Sequence, residues 1–196
     1  MTHETDPYAR LSKRVVYRNQ WIIVEAHEIV HPTGSPGEHV LIAAGRPSGV
    51  LVVENDEFIF ARQPRFGARR WVIEIVKGGG DEGESAIECA RRELREELGL
   101  HARSWLSLGA TYESPSIMDD PVELFLAQDL ERVPTDPEHV ERIELVRMPI
   151  DDAYRAALDG RIDDAVTLAA LLRYKLVTAA ASSTDSTDIR AHQGRH

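Results

Sequence analysis

The feature that most constrains this chain is the segment KGGGDEGESAIECARRELREELGL, residues 77–100, in which a run of glycines precedes a strongly acidic stretch. Apolar residues recur there at steps of three and four, which predicts a helix over 84–98 with Gly99 at its C-terminal end. The residues that form the predicted buried stripe are Ile87, Ala90, Leu94 and Leu98.

Three glutamates of this helix fall beside the apolar stripe. At about 100° per residue, Glu93, Glu97 and then Glu96 flank the stripe and border the buried edge. Such neighbouring carboxylates repel one another and lose hydration, so a cation or a shared proton must offset their charge. With no His or Cys among them, a hard divalent cation such as Mg²⁺ or Mn²⁺ is the simplest explanation. The far side of the helix carries the mixed charge of a solvated face: Glu88, Arg91 and Arg95.

Composition limits the class of protein. The chain has 196 residues with 42% apolar content, which suits one globular domain with a real core. A net charge of −10 argues against binding nucleic acid or anionic lipid through bulk electrostatics. No apolar run approaches the roughly 20 residues of a membrane span, and we expect a cytoplasmic protein. The single cysteine, Cys89, fits a reducing compartment and is interpreted as a small buried residue.

Hydrophobic patterns predict strands on both sides of the helix. Asn55-Asp56 suits a tight hairpin turn between two of them. Two further helices are expected near the end of the chain, at 150–160 and 163–177. The predicted strands lie within 14–32 and at 38–45, 49–55, 57–63, 69–76, 105–112, 122–130 and 142–150.

The acidic segment resembles the signature of the Nudix family, G-x5-E-x7-R-E-U-x-E-E-x-G-U, in which U is a bulky aliphatic residue. A solvated acidic helix would tolerate its charges anywhere on the helix, whereas every defined position of the signature is filled here. We call residues 78–100 the box. The matching residues are Gly78, Glu84, Arg92, Glu93, Leu94, Glu96, Glu97, Gly99 and Leu100.

The resemblance implies an α/β fold of the α+β sandwich type, with a mixed β-sheet between helices and a loop-helix-loop box. It implies that Glu93, Glu96 and Glu97 bind Mg²⁺ or Mn²⁺, with two or more ions when substrate is present. Glu84 would hydrogen-bond Arg92 and hold the loop to the helix. A backbone carbonyl at Lys77 or Gly78 would be a further ligand. The implied reaction is attack of a metal-activated water on a nucleoside diphosphate linked to another group.

The flank before the box, FARQPRFGARRWVIEIVKG, resembles ADP-ribose pyrophosphatases and related ADP-compound hydrolases. The matching residues are Gln63, Arg65 and Glu74, and Arg65 and Glu74 are candidates for substrate binding. Arg65 has a planar fork that suits phosphate or ribose oxygens, although an exposed cation at a strand end is the alternative. The usual E-L-P-A-G reads E-I-V-K-G at 74–78, which slightly favours the ADP-compound relatives.

The flank after the box, YESPSIMDDPVELFLAQDL, is similar to a segment of the same branch that often supplies the general base. Ser114 is a candidate for substrate binding. Asp120 stands where a glutamate often sits, and Asp119 and Glu123 are the other acids that could serve as the base. Each of the three acids could instead simply solvate the loop.

The N-terminal strands resemble those through which ADP-ribose pyrophosphatases form homodimers, with adenine bound near the subunit boundary. Tyr17 and Trp21 could stack on a base there, or pack in a core or an interface. We therefore divide the chain into a flexible N-terminus (1–12), N-terminal strands that could dimerise (13–45), a Nudix domain (46–178) and a disordered tail (179–196).

The resemblance as a whole implies hydrolysis of ADP-ribose to AMP and ribose 5-phosphate. The alternatives are cleavage of other ADP compounds, such as NADH and diadenosine polyphosphates, or of sugar nucleotides. A less favoured alternative is a sensor that binds ADP-ribose or NAD metabolites without cleaving them. Because such a sensor would be expected to lose carboxylates of the box, and none is lost here, an enzyme is the preferred interpretation.

Overall fold

The computed structural model describes residues 6–134 and 142–192. The described part contains ten strands and three helices. The strands are β1 (Ala9–Arg18), β2 (Ile23–Val30), β3 (Pro36–Ala43), β4 (Ser48–Glu54), β5 (Glu57–Arg65), β6 (Arg70–Glu74), β7 (Val76–Gly78), β8 (Leu100–Thr111), β9 (Val122–Arg132) and β10 (Glu144–Pro149). The helices are α1 (Ala86–Leu98), α2 (Ile150–Leu158) and α3 (Ala165–His192).

The first three strands form a separate antiparallel sheet in the order β1-β2-β3. This sheet confirms the predicted N-terminal antiparallel strands. β1 is exposed along its whole length, so the described part of this chain covers neither of its faces. It begins at Ala9, inside the segment that the sequence predicts to be flexible.

The other seven strands form one mixed sheet with the path β10-β5-β4-β9-β8. β4 and β9 run parallel, and their neighbours pair antiparallel. β6 pairs with β5 and β7 pairs with β4, so both short strands add to the sheet beside the main path.

Two hydrophobic cores cover the two faces of the mixed sheet. Because side chains alternate along a strand, Val50 and Val52 of β4 face α1, whereas Leu51 and Val53 face α2 and α3. The core on the α1 side takes Ala90, Leu94 and Leu98 from the predicted stripe. The sheet therefore lies between helices, which confirms the predicted sandwich.

Local signals placed the turn and the C-terminal end of the helix correctly, whereas the helix begins two residues later than the predicted Glu84. Asn55 and Asp56 both have positive φ, 53° and 60°, as a two-residue hairpin turn of this hand requires. α1 begins at Ala86, where the Ser85 N–H donates to the Glu88 side chain at 2.9 Å. It ends at Gly99, whose φ of 60° is left-handed and whose N–H donates to the Arg95 carbonyl.

The structure also differs from the sequence prediction before the box and at the end of α3. The strand predicted over 69–76 is broken at Ile75. Before this residue β6 pairs with β5, and after it β7 pairs with β4. α3 continues to His192, into the segment predicted to be disordered from residue 179, and the alanines at 179–181 suit such a continuation. No helix of the described part is long and apolar enough to cross a membrane.

Candidate active site

Arg92 is the centre of a cluster at the start of the box. Its Nε and Nη2 donate to the two oxygens of Glu84, each at 3.0 Å, which makes a bidentate pair. Its Nη1 donates to Glu93 at 2.7 Å and to Glu96 at 3.2 Å, and its Nη2 also donates to the Gly79 carbonyl at 2.8 Å. One guanidinium therefore joins the glycine loop, the helix and three acids.

The two sides of the Glu84–Arg92 pair stabilise each other's charged form. Hydrogen bonds from Arg92 and from the Asp81 N–H lower the pKa of Glu84, and burial opposes them. The pKa of Arg92 is raised, with the hydrogen bond to Glu84 as the largest cause. The pair holds the loop of 81–84 against the helix, at the place where the sequence predicted this support.

Gly78 lies against the carboxylate of Glu93. A Cβ placed on Gly78 would be 2.1 Å from Glu93 Oε1, so no larger residue fits while that carboxylate keeps its position. The Cys89 thiol lies 3.5 Å from the Gly78 carbonyl oxygen. Burial raises the pKa of this thiol to about 11, and the side chain is fully buried, which confirms its interpretation as a small buried residue.

A second cluster lies where β6 passes into β7. The buried carboxylate of Glu74 accepts from Arg65 Nε at 2.6 Å and lies 3.1 Å from Lys77 Nζ. Lys77 Nζ also donates to Asp164 Oδ1 at 2.5 Å. Burial opposes charge at both ends of this contact, but the ion pairs prevail, so the pKa of Lys77 is raised and that of Asp164 is lowered.

This second cluster lines an open cavity of about 640 Å³ that reaches the box at Gly78 and Gly79. Arg65 and Glu74, which the sequence singled out for substrate binding, both line it. The other charged residues that line it are Arg70, Lys77, Glu113, Asp163 and Asp164. The cavity is large enough for one moiety of a nucleotide-sized ligand.

The loop between β8 and β9, residues 112–121, is attached to the N-terminal sheet. Ile42 of β3 donates its N–H to the Ile117 carbonyl at 2.7 Å and accepts from the Asp119 N–H at 3.3 Å. His39 Nε2 lies 3.1 Å from the Ser116 carbonyl. A second cavity of about 410 Å³ lies between this loop and β1–β3, and Asp119 lines it.

Several predicted residues do not line the cavity that reaches Gly78 and Gly79. Tyr17 and Trp21 are 54% and 59% exposed, so neither packs in the core of this chain. Ser114 lies in the 112–121 loop, where its carbonyl accepts from the N–H groups of Ile117 and Met118. Among the acids considered as a base, Asp120 and Glu123 line neither of the two cavities in the described part of the chain.

Sequence reasoning considered the backbone carbonyl of Lys77 but missed its side chain, and it missed Asp164 and Thr167. Asp164 precedes α3 and its Oδ2 accepts from the Thr167 N–H at 2.9 Å, which is an N-cap contact. The D-x-x-T spacing before an apolar run was the available signal. Glu113 was also missed as a residue of the cavity wall, although it lies in the same loop as Asp119 and Asp120.

Comparison with known proteins agrees with this geometry. The family model described as the NUDIX domain matches residues 45–171, and the chain therefore belongs to the Nudix hydrolase family. It is 26% identical over 172 residues to the ADP-ribose pyrophosphatase of Bacillus subtilis (strain 168), covering 86% of this chain and 93% of that protein. It is 26% identical over 163 residues to the ADP compounds hydrolase NudE of Escherichia coli (strain K12), covering 82% of this chain and 88% of that protein.

A solved structure shares the fold. The crystal structure of an ADP compounds hydrolase superposes with a TM-score of 0.78, at 22% identity, covering 92% of this chain and 98% of that one. The predicted Nudix fold is thereby confirmed.

Members of the family generally use divalent metal ions, and the box offers suitable donors. Glu93, Glu96 and Glu97 supply carboxylate oxygens, the kind of ligand that Mg²⁺ and Mn²⁺ take. Their side chains are largely buried, and that of Glu97 is among the buried charged groups of the chain. Among the side chains that the structure describes, in residues 6–134 and 142–181, no group of three His, Cys, Asp or Glu forms a ready ion site, and Arg92 engages Glu93 and Glu96.

Proposed function

We propose that the protein hydrolyses ADP-ribose to AMP and ribose 5-phosphate in a reaction that depends on Mg²⁺ or Mn²⁺. The observation that carries the proposal is the Arg92 cluster, which gathers the carboxylates of Glu84, Glu93 and Glu96 from a complete box at the edge of an open cavity. The B. subtilis relative is named an ADP-ribose pyrophosphatase, which supports this choice of substrate.

The carboxylates of Glu93, Glu96 and Glu97 would hold the ions, with the Gly78 carbonyl as a further ligand. The bound metal would neutralise diphosphate charge and activate the attacking water. To bind it, Glu93 and Glu96 would turn away from Arg92, which keeps its bidentate pair with Glu84. The Glu84–Arg92 pair thus serves to keep the loop and the helix together when the charges around them change.

Arg65 and Glu74 would serve substrate binding in the cavity beside the box. The Arg65 fork can donate to phosphate or ribose oxygens, and the Glu74 carboxylate, which is only 1% exposed, would hold that fork in place. Ser114 would contribute from the 112–121 loop. For the proton acceptor we propose Asp120, with Asp119 and Glu123 as the alternatives, because the loop beside the cavity carries Asp119 and Asp120, and Glu123 follows it at the start of β9.

We also propose a homodimer formed through the N-terminal sheet. β1 exposes Leu11, Val15 and Val16 together with Tyr17, and Trp21 follows in the next turn. An exposed apolar surface of this kind marks an interaction site. Tyr17 and Trp21 could then stack on adenine at the subunit boundary. The buried single cysteine fits a cytoplasmic location, which stays a prediction.

A second candidate is cleavage of other ADP compounds. It is favoured by the E-I-V-K-G sequence at 74–78, in which Lys77 replaces the alanine usual in ADP-ribose pyrophosphatases, and by the similarity to an ADP compounds hydrolase. A lysine on the cavity wall adds a cation that the usual sequence lacks.

A substrate panel tests the proposal. Purified protein is incubated with ADP-ribose, NADH, ADP-glucose, GDP-mannose or diadenosine triphosphate in Mg²⁺, Mn²⁺ or EDTA, and products are separated by chromatography. Metal-dependent release of AMP and ribose 5-phosphate, faster than cleavage of the other compounds, is expected. Faster cleavage of NADH or diadenosine triphosphate would support the second candidate, and no cleavage of any compound would contradict both.

A further inference from the structure

The junction between β6 and β7 is held by a closed ring of contacts with the start of α3. The Ile75 N–H, which has left the β5 ladder, donates to Thr167 Oγ1 at 3.0 Å. Thr167 Oγ1 in turn donates to Asp164 Oδ2 at 2.7 Å. The other oxygen of Asp164 pairs with Lys77, and Lys77 pairs with Glu74, which precedes Ile75 in the chain. The ring therefore starts and ends at the junction of residues 74 and 75, which leads through β7 into the box.

The charge of Asp164 is not required for its role as the N-cap of α3. Asp164 caps α3 through the Thr167 N–H, and asparagine caps helices about as well as aspartate. What asparagine could not supply is the second negative charge against Lys77, whose side chain is only 17% exposed. Removing that charge would leave a buried ammonium with Glu74 alone, and Glu74 is shared with Arg65.

We propose that Asp164 is a positioning residue for the metal site of the box. Through Lys77 it holds the backbone of residues 77 and 78 in place, and Gly78 contacts the carboxylate of Glu93 directly. A shift of this backbone would displace both the Gly78 carbonyl and the space in which the Glu93 carboxylate sits. The inference rests on the proposed function, since it assigns a role in binding the metal of that reaction.

The adjacent residue provides a matched control. Asp163 also forms an ion pair on the wall of the same cavity, with Arg70 of β6. Both partners of that pair are about half exposed, at 47% each, and the pair does not reach β7. Asp163→Asn and Asp164→Asn therefore make the same chemical change at neighbouring positions, and only the second acts on the strand that enters the box.

The test is an isothermal titration of each full-length variant with Mn²⁺, alongside thermal unfolding and hydrolysis of ADP-ribose at saturating Mn²⁺. Asp164→Asn is expected to raise the Kd for Mn²⁺ by about tenfold, the low end of the effect of losing a residue that supports a metal ligand. Asp163→Asn is expected to leave it within about twofold. At saturating Mn²⁺ the KM of Asp164→Asn should stay near that of wild type while kcat falls.

An unchanged Mn²⁺ affinity of Asp164→Asn, an equal effect of Asp163→Asn, or wild-type protein that does not bind Mn²⁺ would each overturn the inference. Wild-type protein that binds Mn²⁺ but cleaves nothing would contradict only the proposed function, since the comparison of affinities does not depend on turnover. If Asp164→Asn does not fold, Thr167→Ser and Thr167→Val replace it. The serine keeps the hydroxyl in the ring, so the valine variant alone should bind Mn²⁺ more weakly, and equal affinities would overturn the inference.

Discussion

At the scale of single residues, Gly78 is the clearest example of a position whose residue type follows from the site. Its φ is not in the left-handed region, so backbone conformation does not require glycine there. The requirement comes from the Glu93 carboxylate, which occupies the space that a Cβ would take. Because that carboxylate is the far end of a flexible side chain, a larger residue would displace the carboxylate without disrupting the core.

We therefore expect Gly78→Ala to impair metal binding more than folding. Displacement of the Glu93 carboxylate should raise the Kd for Mn²⁺ by about tenfold or more and lower the rate of hydrolysis, with little change in the melting temperature. Gly67→Ala is the control, since a Cβ there meets nothing within 4 Å. Mn²⁺ titration and thermal unfolding separate the two effects. A variant that loses stability but binds Mn²⁺ normally would contradict this account of Gly78.

At the scale of elements, the box is a loop joined to a helix through Arg92, whose bidentate partner in the loop is Glu84. Glu84 lies two residues before α1, and its carboxylate is held by two nitrogens of Arg92, more than two turns further along. The pair is partly buried, with 14% and 24% of its side chains exposed. Its hydrogen bonds favour the ionised carboxylate, so the contact is sensitive to acid.

The pH dependence of stability should report this pair. The pKa of Glu84 is lowered in the folded protein from an ordinary value of 4.5, so its stabilising effect is full above that pH. The effect is lost as the pH falls through the lowered pKa. In urea, the free energy of unfolding of Glu84→Gln should be lower than that of wild type at neutral pH. Below pH 4.5 it should fall by less than that of wild type. Glu82→Gln should behave as wild type, and an identical acid dependence of Glu84→Gln and wild type would refute the assignment.

The elements also show what sequence reasoning can reach. The helix predicted over 84–98, its end at Gly99 and the turn at Asn55-Asp56 follow from local periodicity and backbone preference. The structure has all three, with the helix starting at Ala86, two residues later than predicted. The break at Ile75 could not be predicted in this way, because the Ile75 N–H finds its acceptor on Thr167, at a separation of 92 residues. The attachment of the 112–121 loop to β3 is another contact between distant segments.

The same limit applies to the candidate site. The pairing of Glu84 with Arg92 was predicted from the box and is present in the structure. The partner of Lys77 lies 87 residues away in sequence, so nothing near Lys77 pointed to Asp164. The signature thus describes contacts within one helix and its loop, whereas the supporting side chains come from elements that only the fold brings near.

At the scale of the whole molecule, the N-terminal sheet leaves the large apolar side chains of β1 exposed to solvent. Leu11 is 64% exposed and lies in β1, which the described part of this chain does not cover. The same sheet holds the 112–121 loop through Ile42 and His39. A second copy that packs on β1 would therefore also support the loop that carries the proposed base.

We expect the protein to sediment as a dimer at micromolar concentration. Leu11→Asp should shift it toward a single species of 21.9 kDa, because a charge buried in an apolar interface is costly. Leu158→Asp is the matched control: Leu158 is 89% exposed, but it lies at the end of α2, outside the N-terminal sheet. Wild-type protein that sediments as one 21.9 kDa species would refute the dimer.

The proposal that the box carboxylates hold the metal is tested most directly by comparing Glu97→Gln with Glu88→Gln. Mn²⁺ binding and hydrolysis of ADP-ribose are measured for both variants. Both changes remove one carboxylate from α1, and glutamine at position 88 can still cap the helix. If the box carboxylates hold the metal, Glu97→Gln should abolish turnover and weaken Mn²⁺ binding in a folded protein, whereas Glu88→Gln should match wild type. Full metal-dependent activity of Glu97→Gln would contradict the claim.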